Sequence, residues 1–408
     1  MTERVFDVAI VGSGPAGASL ALGLARKGLE TVIIDARDPA VPSPYDGRNF
    51  ALVSGSWHLL RGLGLTDRLA PHAQPLHGLE AVDGGSHWFG QPRTLFEDED
   101  LGSPDPDETL GQMVAADQLQ AVLDAAISET TLIESFAPAE FRGLEVNDGG
   151  VRIALADGRS LAARLIVGAD GVKSRVREAL AIDVVGRDYG KSVFTANVKL
   201  DTPHQGIARQ LFLPEGPFAI LPLPGDRANL AWYLKRGAAE ALASLSPAEI
   251  NAELNQRLSG FAGQMALDGP AGSYPLILQL ATEIAGARGV LIGDASRRIN
   301  PLAGQGLNQG FRDVGALMDC LDQALATGQD IGSDIVLAQF SQARRLDGNI
   351  TALALDGIDR LFSNDHMLTK PLRGIGMFAV QNIPSIRKFL ARKASATEDG
   401  VPEAMRGW

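Results

Sequence analysis

Three glycines and one acidic residue near the start of the chain have the spacing of a phosphate-binding loop. The segment GSGPAG runs from Gly12 to Gly17, and Asp35 ends the next apolar run, TVIID. Gly12 permits a sharp turn, Gly14 lets the backbone approach a pyrophosphate, and Gly17 lets a helix pack closely on a strand. A carboxylate at position 35 accepts hydrogen bonds from a ribose diol. The spacing therefore predicts a dinucleotide site.

A strand and a helix must position this loop. The preceding run, VFDVAIV, is typical of a parallel strand that is buried on both faces. After the loop, Pro15 and Ala16 open a run in which Leu20 and Leu24 share one helical face, and Gly28 can end that helix. The backbone N–H groups and the helix dipole then face the phosphates. The loop alone leaves open whether the dinucleotide is NAD or FAD.

The composition excludes several classes of protein. A net charge of −12 argues against a nucleic-acid partner, because phosphate neutralisation needs a basic surface. Cys320 is the single cysteine and the start MTERVFD lacks a secretory signal, which predicts an intracellular, cytoplasmic protein without an internal disulfide. No window approaches the roughly eighteen apolar residues that span a bilayer. The histidines and Cys320 show no metal-ligand or triad spacing, so we expect no metal.

Two more acidic residues follow apolar runs. RLIVGADGVKSRVREAL places Asp170 after one run, and VLIGDASRRINPLAGQGLNQGF places Gly293 and Asp294 after another. Residues from Leu307 onward, including Phe311, follow a helical face. Ligands bind where strands end in an open α/β sheet, so both segments are candidate binding elements.

The remaining pattern predicts a divided domain organisation. Short β-type runs separated by Gly, Pro and Asp fill residues 183–275 and indicate an antiparallel sheet inserted into the nucleotide domain. The acidic stretch 96–109 is interpreted as a mobile surface loop. The predicted parts are a discontinuous nucleotide-binding domain (1–75, 100–182 and 276–345), a substrate domain (76–99 and 183–275) and a C-terminal helical region (346–408).

The motifs together resemble a known family. GSGPAG, the GADGxxSxVR segment and the GD segment, in this order, resemble the flavoprotein aromatic hydroxylases of the para-hydroxybenzoate hydroxylase type. Within that group, DGRNFALVSGS and NPLAGQGLNQGFRD resemble the ubiquinone-biosynthesis hydroxylases, which oxidise polyprenylated phenols. The resemblance covers about residues 5–345. It implies an α/β fold with a Rossmann-like FAD-binding domain, an inserted antiparallel β-sheet substrate domain and a C-terminal helical segment.

The resemblance also implies the chemistry. FAD is the implied cofactor, O2 the co-substrate, and an external reductant such as NAD(P)H supplies electrons. The implied reaction is hydroxylation of a phenol ring through a flavin C4a-hydroperoxide, which needs no catalytic side chain because the cofactor performs it. There is no second strand–GxGxxG–helix unit, so the reductant binds transiently or its electrons come from elsewhere.

Roles for single residues follow from the resemblance. Asp35 is expected to bind the adenosine ribose, Arg48 to contact FAD and Asp294 to bind the ribityl chain. Asp170 lies in the segment near the pyrophosphate, where two anions repel, so it is expected to act through structural hydrogen bonds or water. The turn into the last predicted helix is expected to face N1 and O2 of the flavin, with Pro301 near the reactive ring. That turn comprises Gly304, Gln305, Gly306, Leu307 and Asn308.

The chain departs from the family pattern beside this turn. Asn300 stands where the family commonly has His, which removes a His-based proton role at that point. Arg297 and Arg298 replace more neutral residues.

An apolar region of the predicted substrate domain is expected to cover the flavin and line the substrate pocket. For each residue, packing within the sheet core is an equally good interpretation. The region comprises Phe212, Phe218, Leu221, Pro222, Leu223 and Trp232.

The C-terminal segment is basic although the chain is acidic. Residues 370–396 contain six Lys and Arg residues and no acid, and Ile383, Ile386 and Phe389 share a helical side. This pattern suits peripheral docking on an anionic membrane, or a helix packed on the domain with a solvated basic face. The function predicted from the sequence is hydroxylation of a polyprenylated phenol. A hydroxylase of small soluble aromatics and a non-catalytic flavin-binding subunit of a quinone-synthesis complex remain alternatives.

Overall fold

The computed structural model describes residues 4–42, 47–84, 92–213, 215–299, 304–345 and 380–406. The strands are β1 (Val5–Val11), β2 (Thr31–Ile34), β3 (Asn49–Val53), β4 (Ala73–Leu76), β5 (Gly78–Asp83), β6 (Arg93–Glu97), β7 (Gly111–Ala115), β8 (Ile133–Phe136), β9 (Phe141–Asn147), β10 (Gly150–Leu155), β11 (Ser160–Gly168), β12 (Val184–Leu200), β13 (Ile207–Leu213), β14 (Gly216–Leu223), β15 (Arg227–Lys235), β16 (Met265–Ala281), β17 (Ala285–Gly286), β18 (Gly289–Leu291) and β19 (Arg297–Arg298).

The helices are α1 (Pro15–Arg26), α2 (Ser54–Gly62), α3 (Thr66–Leu69), α4 (Ala116–Ser128), α5 (Arg175–Ala179), α6 (Arg236–Ala243), α7 (Pro247–Ala262), α8 (Gln305–Ala326), α9 (334–345) and the C-terminal helix (Pro384–Ala394). Short 3-10 turns include Asp98–Leu101, Gly293–Ala295 and Glu403–Met405. None of the helices in the described ranges is long and apolar enough to cross a membrane.

The first sheet brings the predicted binding motifs to one edge. Its central order is β18-β11-β1-β2-β8, with all neighbours parallel, and the antiparallel strands β10 and β9 extend it. Ile34, Val11, Gly168 and Leu291 lie side by side in the register. Parallel strands end at the same edge, so the segments that follow these residues meet there.

The second sheet carries the β-rich insertion. Its order is β19-β16-β12-β15-β14-β13-β5-β6, and all pairs are antiparallel except β13 with β5. Strands β5 and β6, from residues 76–99, thus pair with strands from the 183–275 segment. A third sheet of β3, β7 and β4 lies against β14.

Each large sheet has its own apolar core. Helices α1, α4 and α8 pack on the first sheet, where Leu20, Leu24 and Phe311 are fully buried. Helices α6 and α7 cover one face of the second sheet. These two helices leave the opposite face of the second sheet uncovered, and that face can lie towards the first sheet.

The acidic stretch 96–109 differs from the predicted mobile loop. Its first part forms a 3-10 turn in which Asp100 is buried and lies 2.8 Å from the guanidinium of Arg387. Glu108, at its end, accepts a hydrogen bond of 2.9 Å from His58. The stretch is anchored because its buried carboxylates find hydrogen-bond partners that are distant in the sequence.

Candidate active site

The GSGPAG loop turns between β1 and α1 in a conformation that requires glycine. Gly12 has φ of +106°, and a Cβ there would come within 2.3 Å of the carbonyl oxygen of Ala169. A Cβ on Gly17 would come within 2.0 Å of the Gly12 carbonyl oxygen, whereas the space beside Gly14 is open. The loop therefore packs tightly on the sheet at both ends and leaves room for a ligand in the middle.

Asp35 joins this loop to the end of β2. Its carboxylate accepts hydrogen bonds from the backbone N of Ser13 at 2.5 Å, from Oγ of Ser13 at 2.8 Å and from N of Arg37 at 2.7 Å. A carboxylate has about four acceptor positions. Asp35 thus orders the loop and retains an acceptor position for a ribose hydroxyl.

Asp170 anchors the second motif. Its Oδ2 accepts hydrogen bonds from N of Arg175 at 2.7 Å and N of Val176 at 3.1 Å, at the start of α5. Its Oδ1 is buried and has no hydrogen-bond partner among the described residues. The carboxylate shapes the turn after β11, and one of its oxygens is left for a ligand or water.

A cavity of about 510 Å³ lies between these motifs. Gly12, Gly14, Asp35 and Asp170 line it, and the opposite wall comes from the start of β9. Two basic residues that sequence reasoning did not assign, Lys173 and Arg175, also line the cavity; the quoted segment GADGVKSR contains both. Glycines that admit close backbone approach, basic side chains and a ribose acceptor match the phosphates and adenosine of FAD.

The Gly293–Asp294 turn rests on a buried ionic cluster. Asp313 of α8 is fully buried and accepts hydrogen bonds from N of Gly293 at 3.0 Å, from Arg297 at 2.7 Å and from Arg344 at 2.7 Å. Burial raises the pKa of Asp313, but the two guanidinium groups outweigh it and hold the pKa below its usual range. Arg297, which is predicted to depart from the family pattern, therefore positions the turn.

Asp294 projects from this turn into a cleft. Its side chain is exposed to solvent, but the walls of the cleft partly desolvate the carboxylate and so raise its pKa. The positive charges of Arg298 and Arg48 lower the same pKa. The same two arginines act on Tyr274 of β16. The predicted residues Arg48 and Asp294 thus share one cleft with Arg298 and Tyr274.

The start of α8 is tied to the segment that contains Arg48. Gly304, with φ of +64°, precedes Gln305, Gly306 and Leu307 in the first turn of the helix. Oδ1 of Asn308 accepts from Oγ of Ser56 at 2.8 Å, and its Nδ2 donates to the Ala51 carbonyl oxygen at 2.8 Å. Asn308 therefore connects the start of α8 to the segment that contains Arg48, and both elements are predicted to contact FAD. Asn300 and Pro301 lie outside the described residues.

The predicted substrate region divides between the two faces of the second sheet. Phe218 and Trp232 form an edge-to-face pair at 5.5 Å in the core beneath α6 and α7. Pro222 pairs with Ala228 of that core, so it lies on the same face. Phe212, Leu221 and Leu223 alternate to the opposite face. Of the two interpretations of this region, packing in the sheet core is correct for Phe218, Pro222 and Trp232, and pocket lining stays a prediction for the other three.

Comparison with known proteins defines the class. A family model described as an FAD binding domain matches residues 5–346. The structure of p-nitrophenol 4-monooxygenase PnpA from Pseudomonas putida DLL-E4 superposes with a TM-score of 0.79 at 19% identity, covering 100% of this chain and 99% of that one. The chain is thus an FAD-dependent protein with the fold of an aromatic-ring monooxygenase.

Two curated relatives identify the family to which the chain belongs. The ubiquinone hydroxylase UbiL of Rhodospirillum rubrum is 36% identical over 99% of this chain and 92% of its own length. The 3-demethoxyubiquinol 3-hydroxylase of Escherichia coli is 31% identical over 95% of this chain and 98% of its own length. The chain belongs to the family of ubiquinone-biosynthesis FAD-dependent hydroxylases.

Proposed function

We propose that the protein hydroxylates the aromatic ring of a polyprenylated phenol in ubiquinone biosynthesis. The observation that carries this proposal is the 36% identity, along nearly the whole chain, to a protein named ubiquinone hydroxylase. Both curated relatives described above are named as hydroxylases of ubiquinone or of a demethoxyubiquinol. No observation gives comparable support to a hydroxylase of small soluble aromatics or to a non-catalytic flavin-binding subunit.

Different residues of the site are assigned to different parts of the cofactor. Gly12, Gly14, Lys173 and Arg175 suit the pyrophosphate, and Asp35 suits the adenosine ribose. When bound, FAD supplies the activation of O2 and the transfer of one oxygen atom to the ring. The protein contributes orientation and exclusion of water, which protect a reactive group from hydrolysis.

The other end of the cofactor is assigned to the cleft beside β16. Asp294 offers acceptors to the ribityl hydroxyl groups, and the start of α8 presents N–H groups to the flavin. Arg48 and Arg298 add positive charge in this cleft. Positive charge there stabilises the anionic reduced flavin.

The C-terminal helix suits contact with the cytoplasmic face of an anionic membrane, where a polyprenylated substrate resides. Phe389 is 64% exposed, and Ile383 and Leu390 are also exposed, on a helix whose Arg387 is tied to Asp100. Lys388, beside Phe389, has no ion pair among the described residues. An apolar face flanked by basic side chains binds anionic bilayers.

Two measurements test the proposal. Purified FAD-loaded protein, given O2 and reductant, is expected to add one oxygen atom to a prenylated phenol, detected by mass spectrometry. Turnover of a tail-less phenol at an equal rate would instead support the hydroxylase of small aromatics. Absence of any ring hydroxylation, together with stabilisation of partner proteins, would support the assembly-subunit alternative. Deletion of the gene is expected to accumulate the precursor that lacks this oxygen.

Vesicle co-sedimentation tests the membrane contact. Phe389→Ser is expected to reduce binding to vesicles that contain anionic lipid, because it removes the most exposed apolar side chain of the helix. Ile335→Ser is the matched control, since Ile335 is 68% exposed on α9. Equal loss of binding in both variants, or none in either, would contradict the assignment.

A further inference from the structure

Three asparagine side chains connect the second sheet to the segment that contains Arg48. Nδ2 of Asn229 donates a hydrogen bond of 2.8 Å to Oδ1 of Asn197, and the two residues are paired across β15 and β12. The same oxygen accepts a second hydrogen bond of 3.2 Å from Nδ2 of Asn49, at the start of β3. Nδ2 of Asn49 also donates to the carbonyl oxygen of Gly47 at 3.2 Å. We call these three residues the asparagine ladder.

The ladder is buried where it leaves the second sheet. Asn197 and Asn229 are 5% and 6% exposed. A buried amide that loses its partner costs free energy, so the direction of each amide is determined by its neighbour. Asn229 presents an N–H group to Asn197, and the carbonyl oxygen of Asn197 has a second acceptor position for Asn49. The second sheet therefore sets the orientation of the Asn49 amide.

The Asn49 amide closes a turn around Arg48. An amide nitrogen carries two N–H groups, so Nδ2 can bond Asn197 and the Gly47 carbonyl oxygen at the same time. Gly47 has φ of +85°, which favours glycine at the bend. The carbonyl oxygen of Arg48 itself accepts a hydrogen bond of 3.1 Å from N of Ala116. The backbone at position 48 is thus held by the start of α4 on one side and by the ladder on the other.

The place of Arg48 matters because its charge acts in the cleft that is assigned to the flavin. The positive charges of Arg48 and Arg298 lower the pKa of Asp294 and that of Tyr274. The side chain of Arg48 is exposed, so the backbone from which it extends has a large share in placing the guanidinium. Attraction between charges falls with distance, and positive charge stabilises the anionic reduced flavin. A shift of the backbone at position 48 therefore changes how well the reduced cofactor is bound.

We propose that Asn197 is a positioning residue that holds Arg48 in place for the flavin. Through Asn49 it fixes the backbone at position 48, and thereby the distance between the guanidinium and the flavin ring. The reduction potential of bound FAD thus depends on an amide in the second sheet. This inference rests on the proposed function, which assigns Arg48 to the flavin cleft, and deepens it by naming the residue that sets its position.

The test measures the reduction potential of FAD bound to the protein, together with the FAD dissociation constant. Asn197→Leu keeps a similar side-chain volume and removes the acceptor. Moving a cation about 2 Å further from an anion weakens binding roughly 3- to 10-fold in a partly buried site. The affinity for reduced FAD should therefore fall by this factor more than the affinity for oxidised FAD. For a two-electron couple this lowers the reduction potential by about 14–30 mV.

Asn49→Leu breaks the same link from the other side. Its side chain is half-buried, so this variant tests the ladder even where Asn197→Leu fails to fold. It should lower the potential at least as far as Asn197→Leu, because it also removes the bond to Gly47. The double variant should go no further than Asn49→Leu alone, since both substitutions remove one shared interaction. Fully additive shifts would overturn the coupling between the two residues.

Asn255→Leu is the matched control for a purely structural effect. Asn255 lies on α7, which covers the opposite face of the second sheet, and it exchanges hydrogen bonds of 2.7 and 2.8 Å with the backbone of Met265. Its replacement should lower the free energy of unfolding and leave the potential at the wild-type value. The same behaviour in Asn197→Leu would overturn the proposal.

Arg48→Met separates this inference from the proposed function. The assignment of Arg48 to the flavin cleft predicts that it lowers the potential at least as far as Asn197→Leu. A lowered potential in Arg48→Met, with wild-type potentials in both ladder variants, would overturn the positioning role and leave the proposed function intact. A wild-type potential in Arg48→Met would overturn the assignment of Arg48, and the role of the ladder with it.

Discussion

Arg297 donates a hydrogen bond of 2.7 Å to Asp313, and both side chains are buried. Through Asp313, this pair fixes the backbone of Gly293, which begins the turn that presents Asp294. A neutral side chain at position 297 would leave Arg344 as the remaining guanidinium on the carboxylate. The position of the turn that presents Asp294 therefore depends on Arg297.

Replacement of Arg297 should destabilise the fold. Arg297→Met removes one of the two guanidinium groups that contact the buried carboxylate of Asp313. Breaking a buried ion pair costs about 3–5 kcal/mol. Urea denaturation measures the free energy of unfolding. The control is Arg345→Met, which removes an exposed pair with Glu283 at 2.9 Å; such pairs contribute about 1 kcal/mol or less. Equal effects of the two substitutions would contradict the role of Arg297.

Gly12→Ala should abolish FAD retention. The new Cβ would clash with the Ala169 carbonyl oxygen, in a backbone conformation that disfavours side chains. Flavin content after purification, from absorbance, reports the effect. Gly143→Ala on β9 is the matched control, because a Cβ there meets no atom within 4 Å. A yellow Gly12→Ala protein with normal FAD content would refute the loop assignment.

Asp294→Ala should weaken FAD binding without unfolding the protein. The carboxylate is assigned to the ribityl hydroxyl groups, and loss of a hydrogen bond to a charged group costs about 1.5–3 kcal/mol. This corresponds to roughly a tenfold or larger rise in the FAD dissociation constant. Asp183→Ala, outside the cleft, serves as control. Unchanged FAD content and an unchanged flavin spectrum would contradict the assignment of Asp294.

Glu108 should make stability depend on pH. Burial raises the pKa of Glu108, but hydrogen bonds from His58 and Ser54 outweigh it and hold the pKa below its ordinary value of 4.5. A carboxyl group with a lowered folded-state pKa stabilises the fold above its unfolded pKa and loses this contribution as the pH falls through the folded value. Glu108→Gln should therefore lower the free energy of unfolding most near neutral pH.

Denaturation at several pH values checks this prediction. The difference between wild type and Glu108→Gln should shrink as the pH falls below the ordinary carboxyl pKa of 4.5 and through the lower folded-state value. Glu145→Gln, an exposed residue on β9, should show little difference at any pH. A constant difference for Glu108→Gln across the range would show that its carboxylate charge is not involved.

Local patterns predicted the elements that are assigned to the cofactor. The run before Gly12, the loop itself and the helix after it depend on neighbours in the sequence, so periodicity and glycine spacing were sufficient. The helix from Leu307 was predicted in the same way and is present as α8. The parallel strand ends then brought Asp35, Asp170 and Asp294 to one edge, as expected for this fold.

Long-range pairing limited the rest of the prediction. Arg387 and Asp100 are 287 residues apart, so the sequence had no local signal that the acidic stretch is anchored. The side of the sheet to which Phe218 and Trp232 point depends on strand register. A list of apolar residues carries no information about register.

Incubation of the purified, FAD-loaded protein with a prenylated phenol, a nicotinamide reductant and isotopically labelled O2 tests the central claim most directly. Mass spectrometry of the product should show one labelled oxygen atom on the aromatic ring for each substrate converted. A product whose new oxygen comes from water, or a colourless protein that refuses added FAD and forms no product, would contradict an FAD-dependent ring hydroxylase.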